Sequence, residues 1–380
     1  MRMDVAEIAC RLIETESTPS KGEKKIAYTI KELLNELPLE IEVQEYSENR
    51  VNLLAYTKPA EKARIILMGH MDTVPAFRSW TTDPFKPVVR KGFIYGLGSA
   101  DMKGALACMI KAAENSLKKG FSFALGFTAE EETTMTGAET LAQTLKRKLP
   151  SLKIAVVGEP TNMRIATCHK GVLRVKIKVK GVRSHSSIPK KGENAIHNGV
   201  RVLWNLINNG KPEIKHDLLG EPTFSVTMIR GGLSQNIIPD LMEATIDMRL
   251  IPPETMNSRV KIIEDVLDRL RRDGINVHME VLQYQPPYQA PDTREIELAL
   301  EAARELGLNP EPVGEPYLTE ATIYWHKAGV PTIIMGPGRI EEAHRPDEKV
   351  SIENLRKTTA YYETLIEKSC LRLNIRSSTA

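Results

Sequence analysis

The chain has 380 residues, 41% hydrophobic and 27% charged, which is enough for two ordinary domains and has the balance of a soluble globular protein. Its 52 Lys and Arg against 49 Asp and Glu leave +3, too little to make nucleic acid or an anionic membrane the main partner. No run reaches the roughly 18 apolar residues of a membrane span, and the charged opening MRMDVAEIACRLIETEST does not read as a secretion signal. The cysteines at 10, 108, 168 and 370 are scattered, with no C-x-x-C pair; they read as buried thiols in a reducing compartment, so the cytoplasm is the expected location.

In chain order, apolar spacing predicts helices over 4–14 and 22–36, then a buried strand in ARIILM (63–68). Lys103 to Lys119 has helical spacing and Gly120 as its stop. SFALGFT (122–128) and KIAVV (153–157) are further buried strands. Short apolar runs between helices predict an α/β fold, a mostly parallel sheet with helices on both faces. At about residue 172 the texture changes. VLRVKIKVKG alternates, with Val175, Ile177 and Val179 on one face and Arg174, Lys176, Lys178 and Lys180 on the other. The basic row reads as a solvated face guarding a sheet edge rather than a binding stripe. A helix (193–209), strands TFSVTMI and EATIDMRLI, a helix (256–273) and strand NVHMEVLQ follow. This β-α-β-β-α-β order is the ferredoxin-like plan. Helical patterns return at 293–306 and 319–328, then strand VPTIIMG (330–336) and a last helix capped by Ser351. The expected organisation is a domain of residues 1–171 and 288–380 with an α+β domain, 172–287, inserted in it.

The acids follow the strands. ARIILM runs into GHMDTV, with His70 and Asp72; SFALGFT runs into Glu130, Glu131 and Glu132; KIAVVG runs into Glu159; and Asp101 stands just before a helix. Singly, these are a structural histidine, a helix cap and loop acids. Together they would converge where open α/β sheets bind ligands, at the carboxyl ends of the strands. Converging carboxylates need a counter-charge, and a divalent cation supplies one. Histidine with several carboxylates suits zinc, cobalt or manganese better than magnesium.

GHMDTVP, YGLGSADMKG, TAEEETTMTGA, VGEPT, RSHSSIPKKGENAI, SQNIIPD and EAHRPDE resemble, in order and over nearly the whole chain, the successive motifs of the dinuclear-zinc aminoacylase/acetylornithine deacetylase/succinyl-diaminopimelate desuccinylase family. EEETTMTGA and HKG are most similar to the acetylornithine deacetylases. The resemblance implies two zinc ions, with His70 and Glu159 on one, His344 and Glu132 on the other, and Asp101 bridging. It implies Glu131 as general base and acid, Asp72 as the carboxylate orienting His70, and Glu130 as an extra acid steadying the turn. It also implies that the inserted domain is a lid and dimerisation domain whose His185 reaches across a homodimer to the oxyanion. Most relatives have glycine where Ser184 stands. Asn236 and Arg249 match positions that hold the substrate carbonyl and carboxylate, and the GPG at 336–338, Gly336 first, would present N–H groups near the substrate. Thr319 and Glu320 resemble a substrate-side segment but carry no assigned contact.

The expected activity is hydrolysis of the amide bond of a small N-acylated amino acid. A desuccinylase, a general aminoacylase or a dipeptidase is the alternative within the family. A non-catalytic binding protein on the same fold would have lost a ligand or the base, and none is missing. A closed structural zinc site would be rich in cysteine, and no cysteine lies in these motifs.

Overall fold

The computed structural model describes residues 3–371. The chain forms two compact units. The first takes the chain up to Thr167, Ala290–Val313, and the chain from Thr319 onward; the second takes Cys168–Gln289 and the short return Gly314–Leu318.

In the first unit, the strands predicted in ARIILM, SFALGFT, KIAVV and VPTIIMG form the middle of one sheet. Their spatial order is Ala124–Thr128, Ile65–His70, Ile154–Val157, Thr332–Ile334, and every neighbouring pair is parallel. These strands are buried on both faces, which is why they read as unbroken apolar runs. Alternate side chains feed two layers. Ile65, Leu67, Leu125 and Phe127 join a core with Leu12 of helix Val5–Ile13, Leu106 and Ile110 of helix Gly104–Lys118, and Leu365 of helix Ile352–Leu371. On the other face, a Cβ at Gly126 would meet Met68, Ile66 and Leu141, the last in helix Thr136–Lys148.

A hairpin, Glu40–Ser47 with Arg50–Tyr56, extends this sheet in the antiparallel sense beside Ala124–Thr128. It has no place in the predicted element list. Its outer strand, EIEVQEYS, is only half buried, and its alternation is short and interrupted by charge. Its turn relies on Asn49 at φ 60°, a left-handed position that asparagine tolerates. Ser351 accepts from Asn354 N at 3.4 Å at the start of the last helix, as its hydroxyl predicted.

The second unit has a four-stranded antiparallel sheet in the order Ser225–Gly231, Leu241–Leu250, Gly171–Lys180, Asn276–Gln285, with helices Ala195–Asn209 and Met256–Arg272. This is the ferredoxin-like arrangement. Val175, Ile177 and Val179 are buried against Val202, Leu206, Ile263 and Leu267 of those helices. The basic row is not an edge guard, since its strand lies inside the sheet. Arg174 instead pairs with Asp247 at 2.7 Å, and Lys178 with Glu280 at 3.0 Å and Glu243 at 4.0 Å. The acids that balance the row sit on the neighbouring strands, so no single-strand pattern could show them. All four cysteines are free thiols. Among the described residues no helix is long and apolar enough to cross a membrane.

Candidate metal centre

Parallel pairing puts the carboxyl ends of three adjacent strands at one edge. His70 ends the middle strand, the turn holding Glu130–Glu132 leaves Thr128, and Glu159 follows Gly158 beyond Val157. Cross-strand bonds continue past the strand ends, from Met71 N to Thr128 O at 2.8 Å and from Gly158 N to Met68 O at 3.0 Å. The points where the acid-bearing turns leave the sheet are therefore tied to the neighbouring strand. Asp101 arrives from the irregular turn Ser99–Lys103 ahead of helix Gly104–Lys118. His344 follows the short turn Ile340–Glu342 and takes φ 55°.

These side chains meet. His70 Nε2 lies 3.0 Å from Asp101 Oδ1 and 4.0 Å from Glu159 Oε1. His344 Nε2 lies 2.8 Å from Glu132 Oε1 and 3.3 Å from Asp101 Oδ2. The two oxygens of Asp101 thus face two different histidines. The donor atoms fall into overlapping triads that could each hold a cation, His70–Asp101–Glu159 and Asp101–Glu132–His344, and Glu131 joins His70 and Glu132 in a third.

The tautomer of His70 is set locally. Its Nδ1 is 3.0 Å from the backbone oxygen of Asp72. A carbonyl can only accept, so Nδ1 carries a proton and Nε2 is the ring nitrogen turned toward Asp101 and Glu159. The nearer carboxylate oxygen of Asp72 is 3.5 Å from Nδ1. That carboxylate accepts from Glu131 N at 3.1 Å and Glu132 N at 3.0 Å. The sequence expectation gave the Asp72 side chain to the imidazole, but its shorter bonds go to the backbone of the acid turn. Asp72 therefore ties the His70 strand end to Glu131 and Glu132. Glu130, at φ 64°, accepts from Tyr46 Oη at 3.0 Å and lies 3.5 Å from Arg50 Nε, so the hairpin missing from the sequence reading anchors the same turn.

The electrostatics call for a cation. Burial, then Asp101, pushes the Glu159 carboxyl well above its usual range, and Glu159 Oε1 is buried without a hydrogen-bond partner. Burial, then Glu159, does the same to Glu131. Burial alone would lower the His70 imidazole, yet hydrogen bonds to Asp101 and Asp72 hold it well above its usual value. Hydrogen bonds to Asp101 and Glu132 lift His344 to about 10. Protons stand here where positive charge is needed, and an orphaned carboxylate oxygen faces a site with imidazole nitrogen and carboxylate oxygen donors. That donor set fits divalent ions of the zinc, cobalt and manganese kind.

The other predicted residues fall elsewhere. Gly336 does not present its N–H outward but donates it to Thr161 Oγ1 at 3.2 Å. It is glycine because a Cβ there would meet the backbone oxygen of Gly158 at 2.2 Å, beside Glu159. In the second unit, Ser184 and His185 pair with Ile238 and Ile237, and Asn236 O accepts from Ser186 N at 2.9 Å, so His185 and Asn236 are neighbours. Arg249 Nε bonds Asp247 Oδ1 at 3.0 Å. Sequence reasoning gave no role to Glu348, although it closes the EAHRPDE motif. Nor did it give one to Glu320, fully buried, with Tyr324 Oη donating to its Oε2 at 2.8 Å.

Comparison with known proteins agrees with the geometry. The model of Peptidase family M20/M25/M40 matches residues 66–368. The chain belongs to this family. Membership of the M20 peptidases makes it an enzyme of the hydrolase class. It is 32% identical over 369 residues, 94% of this chain and 93% of the other, to an acetylornithine deacetylase of Proteus mirabilis. It is 34% identical over 360 residues, 89% of each, to one of Edwardsiella ictaluri. Among solved M20-like folds, the aminopeptidase PepT of Bacillus cereus superposes with a TM-score of 0.81 at 22% identity, covering 96% of this chain and 98% of that one. YXEP of Bacillus subtilis, described as a dinuclear metal-binding peptidase of the M20 family, gives 0.72 at 19% identity, covering 97% and 98%.

Proposed function

We propose that this M20 enzyme hydrolyses the amide bond of an N-acyl amino acid in the cytoplasm, as an acetylornithine deacetylase does, at a pair of divalent ions, zinc in the first instance. The observation that carries the reading is Asp101, whose two oxygens are divided between two donor triads. His70 and Glu159 would complete one ion site, and Glu132 and His344 the other. Bound ions would supply Lewis acidity toward a water and the acyl carbonyl. Glu131, held by Asp72 through its backbone N–H, takes the proton of the attacking water and returns it to the leaving amine. His185 supplies the further oxyanion donor. Its Nδ1 accepts from Ser187 N at 3.2 Å, so its proton is on Nε2, free to donate. Asn236 and Arg249 hold the substrate carbonyl and carboxylate, with Asp247 keeping the guanidinium plane oriented.

Release of amine from acetylornithine, succinyl-diaminopimelate and simple dipeptides tests the substrate class. A preference of roughly a hundredfold, about 2.7 kcal/mol, for a non-acetylated substrate would replace this reading.

The same reading makes the chain a homodimer through its second unit. Val200, Trp204 and Ile207 recur at helical spacing on one exposed face of Ala195–Asn209, and Trp204 is 69% exposed. The edge strand Ser225–Gly231 adds exposed Met228 and Ile229. An exposed apolar stripe beside a free strand edge is an association surface. Trp204→Ala should weaken self-association about a hundredfold, read by sedimentation equilibrium. A wild-type chain that stays monomeric at tens of micromolar, or a variant that dimerises equally well, removes the dimer.

A further inference from the structure

Glu348 is buried to 1% exposure and belongs to none of the three cation triads. Three backbone N–H groups point at its carboxylate. Gly98 N donates to Oε2 at 2.9 Å, and Ala100 N and Asp101 N donate to Oε1 at 2.7 and 3.0 Å. Its backbone oxygen also accepts from Gly96 N at 3.0 Å. One residue thus grips the whole turn from Gly96 to Asp101. Lys103 N closes the turn on Gly98 O at 2.7 Å, but Asp101 inside it departs from helical geometry, with φ −131° and ψ 94°.

The grip works in both directions. His344 lies in the segment that leads to Glu348, in a left-handed conformation, with a side chain 48% exposed. Packing alone does not fix such a side chain. Downstream, Lys349–Ser351 pairs with Phe93–Tyr95, which leads into the gripped turn. On the other side of the turn, Lys103 is fully buried and donates through Nζ to Thr15 O at 2.8 Å. The Asp101 turn and the His344 segment are therefore referenced to each other through the Glu348 carboxylate. Burying a carboxylate is unfavourable unless it is hydrogen-bonded, and here the hydrogen bonds define the position of Asp101, which lies 3.0 Å from His70 and 3.3 Å from His344.

We infer that Glu348 is a positioning residue for the dinuclear site, setting the span between Asp101 and His344 and hence affinity at the Asp101–Glu132–His344 position. The inference rests on the two-ion reading proposed above. Glutamine at 348 would turn an amide N–H₂ toward a backbone N–H, replacing an attraction by a donor–donor clash at constant volume. Titration of the metal-free full chain with Co²⁺, followed by calorimetry and by the visible spectrum of the bound ion, reads the effect. Wild type should take up two equivalents. Glu348→Gln should weaken the second at least tenfold more than the first and alter its spectrum. Glu348→Asp, which keeps the charge but falls short of the turn, carries the same expectation should the glutamine variant fail to fold. Glu114→Gln is the control. Glu114 is a buried carboxylate bonded by Lys111 and Lys118 at 2.8 Å each, in no cation triad, so its loss should lower Tm and leave both equivalents as in wild type. Wild-type affinity at both positions in the Glu348 variants overturns the inference, as does an equal loss at both that Glu114→Gln reproduces. A wild-type chain that takes up no Co²⁺ overturns the two-ion reading itself, and this inference falls with it; the wild-type arm alone tells those cases apart.

Discussion

Glu131→Gln is expected to lower kcat/KM by roughly 10³-fold, about 4 kcal/mol, while the protein keeps its full complement of ions. The two halves of that result separate a base from a ligand. Glu131 shares a triad with His70 and Glu132, but neither histidine nitrogen is hydrogen-bonded to it, whereas Glu132 Oε1 sits 2.8 Å from His344. Its carboxyl, pushed up by burial and then by Glu159, is the kind of group that holds a proton between two steps near neutral pH. The sign of the stability change is a second check. A carboxyl whose folded pKa exceeds its ordinary 4.5 binds more protons folded than unfolded, so it costs stability as pH rises from 4.5 up through the folded value. Removing the charge should therefore leave the metal-free variant at least as stable as wild type at pH 8, by thermal melting. Unchanged turnover would take Glu131 out of the mechanism, and a lower metal-free Tm would make it a structural acid.

The legible parts of the fold were those in which a residue's own neighbours decide its state. The parallel strands are buried on both faces, so their residues are apolar without interruption. Helix Gly104–Lys118 is buried nearly all round and shows itself as a long apolar run stopped by Gly120. The hairpin Glu40–Tyr56 and the interior placement of Gly171–Lys180 depend on which strand lies alongside. The balancing partners of Lys178, Glu243 and Glu280, are far away in sequence. A row of lysines on an edge strand and one on an interior strand look the same along the chain.

The site divides in the same way. His70, Asp101, Glu131, Glu132, Glu159 and His344 could be singled out because strand ends and motif order mark them. What the motifs could not show is how each is held. The Asp72 carboxylate spends its bonds on the backbone of Glu131 and Glu132. Gly336 matters for the Cβ it lacks against Gly158, not for an N–H it offers. Glu348 acts through main-chain donors. Side-chain identity at one end of a contact is visible in a sequence; a backbone N–H at the other end is not.

Asp101→Asn should be the most damaging single change, with ion uptake falling from two equivalents to less than one and activity falling at least 10⁴-fold, about 5.5 kcal/mol. Asp101 belongs to the His70–Asp101–Glu159 and Asp101–Glu132–His344 triads, with one oxygen 3.0 Å from His70 and the other 3.3 Å from His344. An amide there offers one neutral oxygen and one N–H₂, so one histidine nitrogen would face a donor and one ion would lose its bridge. Chelation of the wild type should cause the same loss of activity, with the difference that added Zn²⁺ or Co²⁺ restores the wild type and not the variant. Stability gives an independent readout. At an ion concentration about 100 times Kd, binding adds about 2.7 kcal/mol to the wild type, and Asp101→Asn should gain little. The wild-type gain should shrink as pH falls. With His344 at about 10 in the metal-free protein, an ion at neutral pH must displace a proton from the imidazole, and that competition grows with acidity. Wild-type ion content in Asp101→Asn would show that Asp101 does not join the two ion positions, and the two-ion reading would lose the observation that carries it.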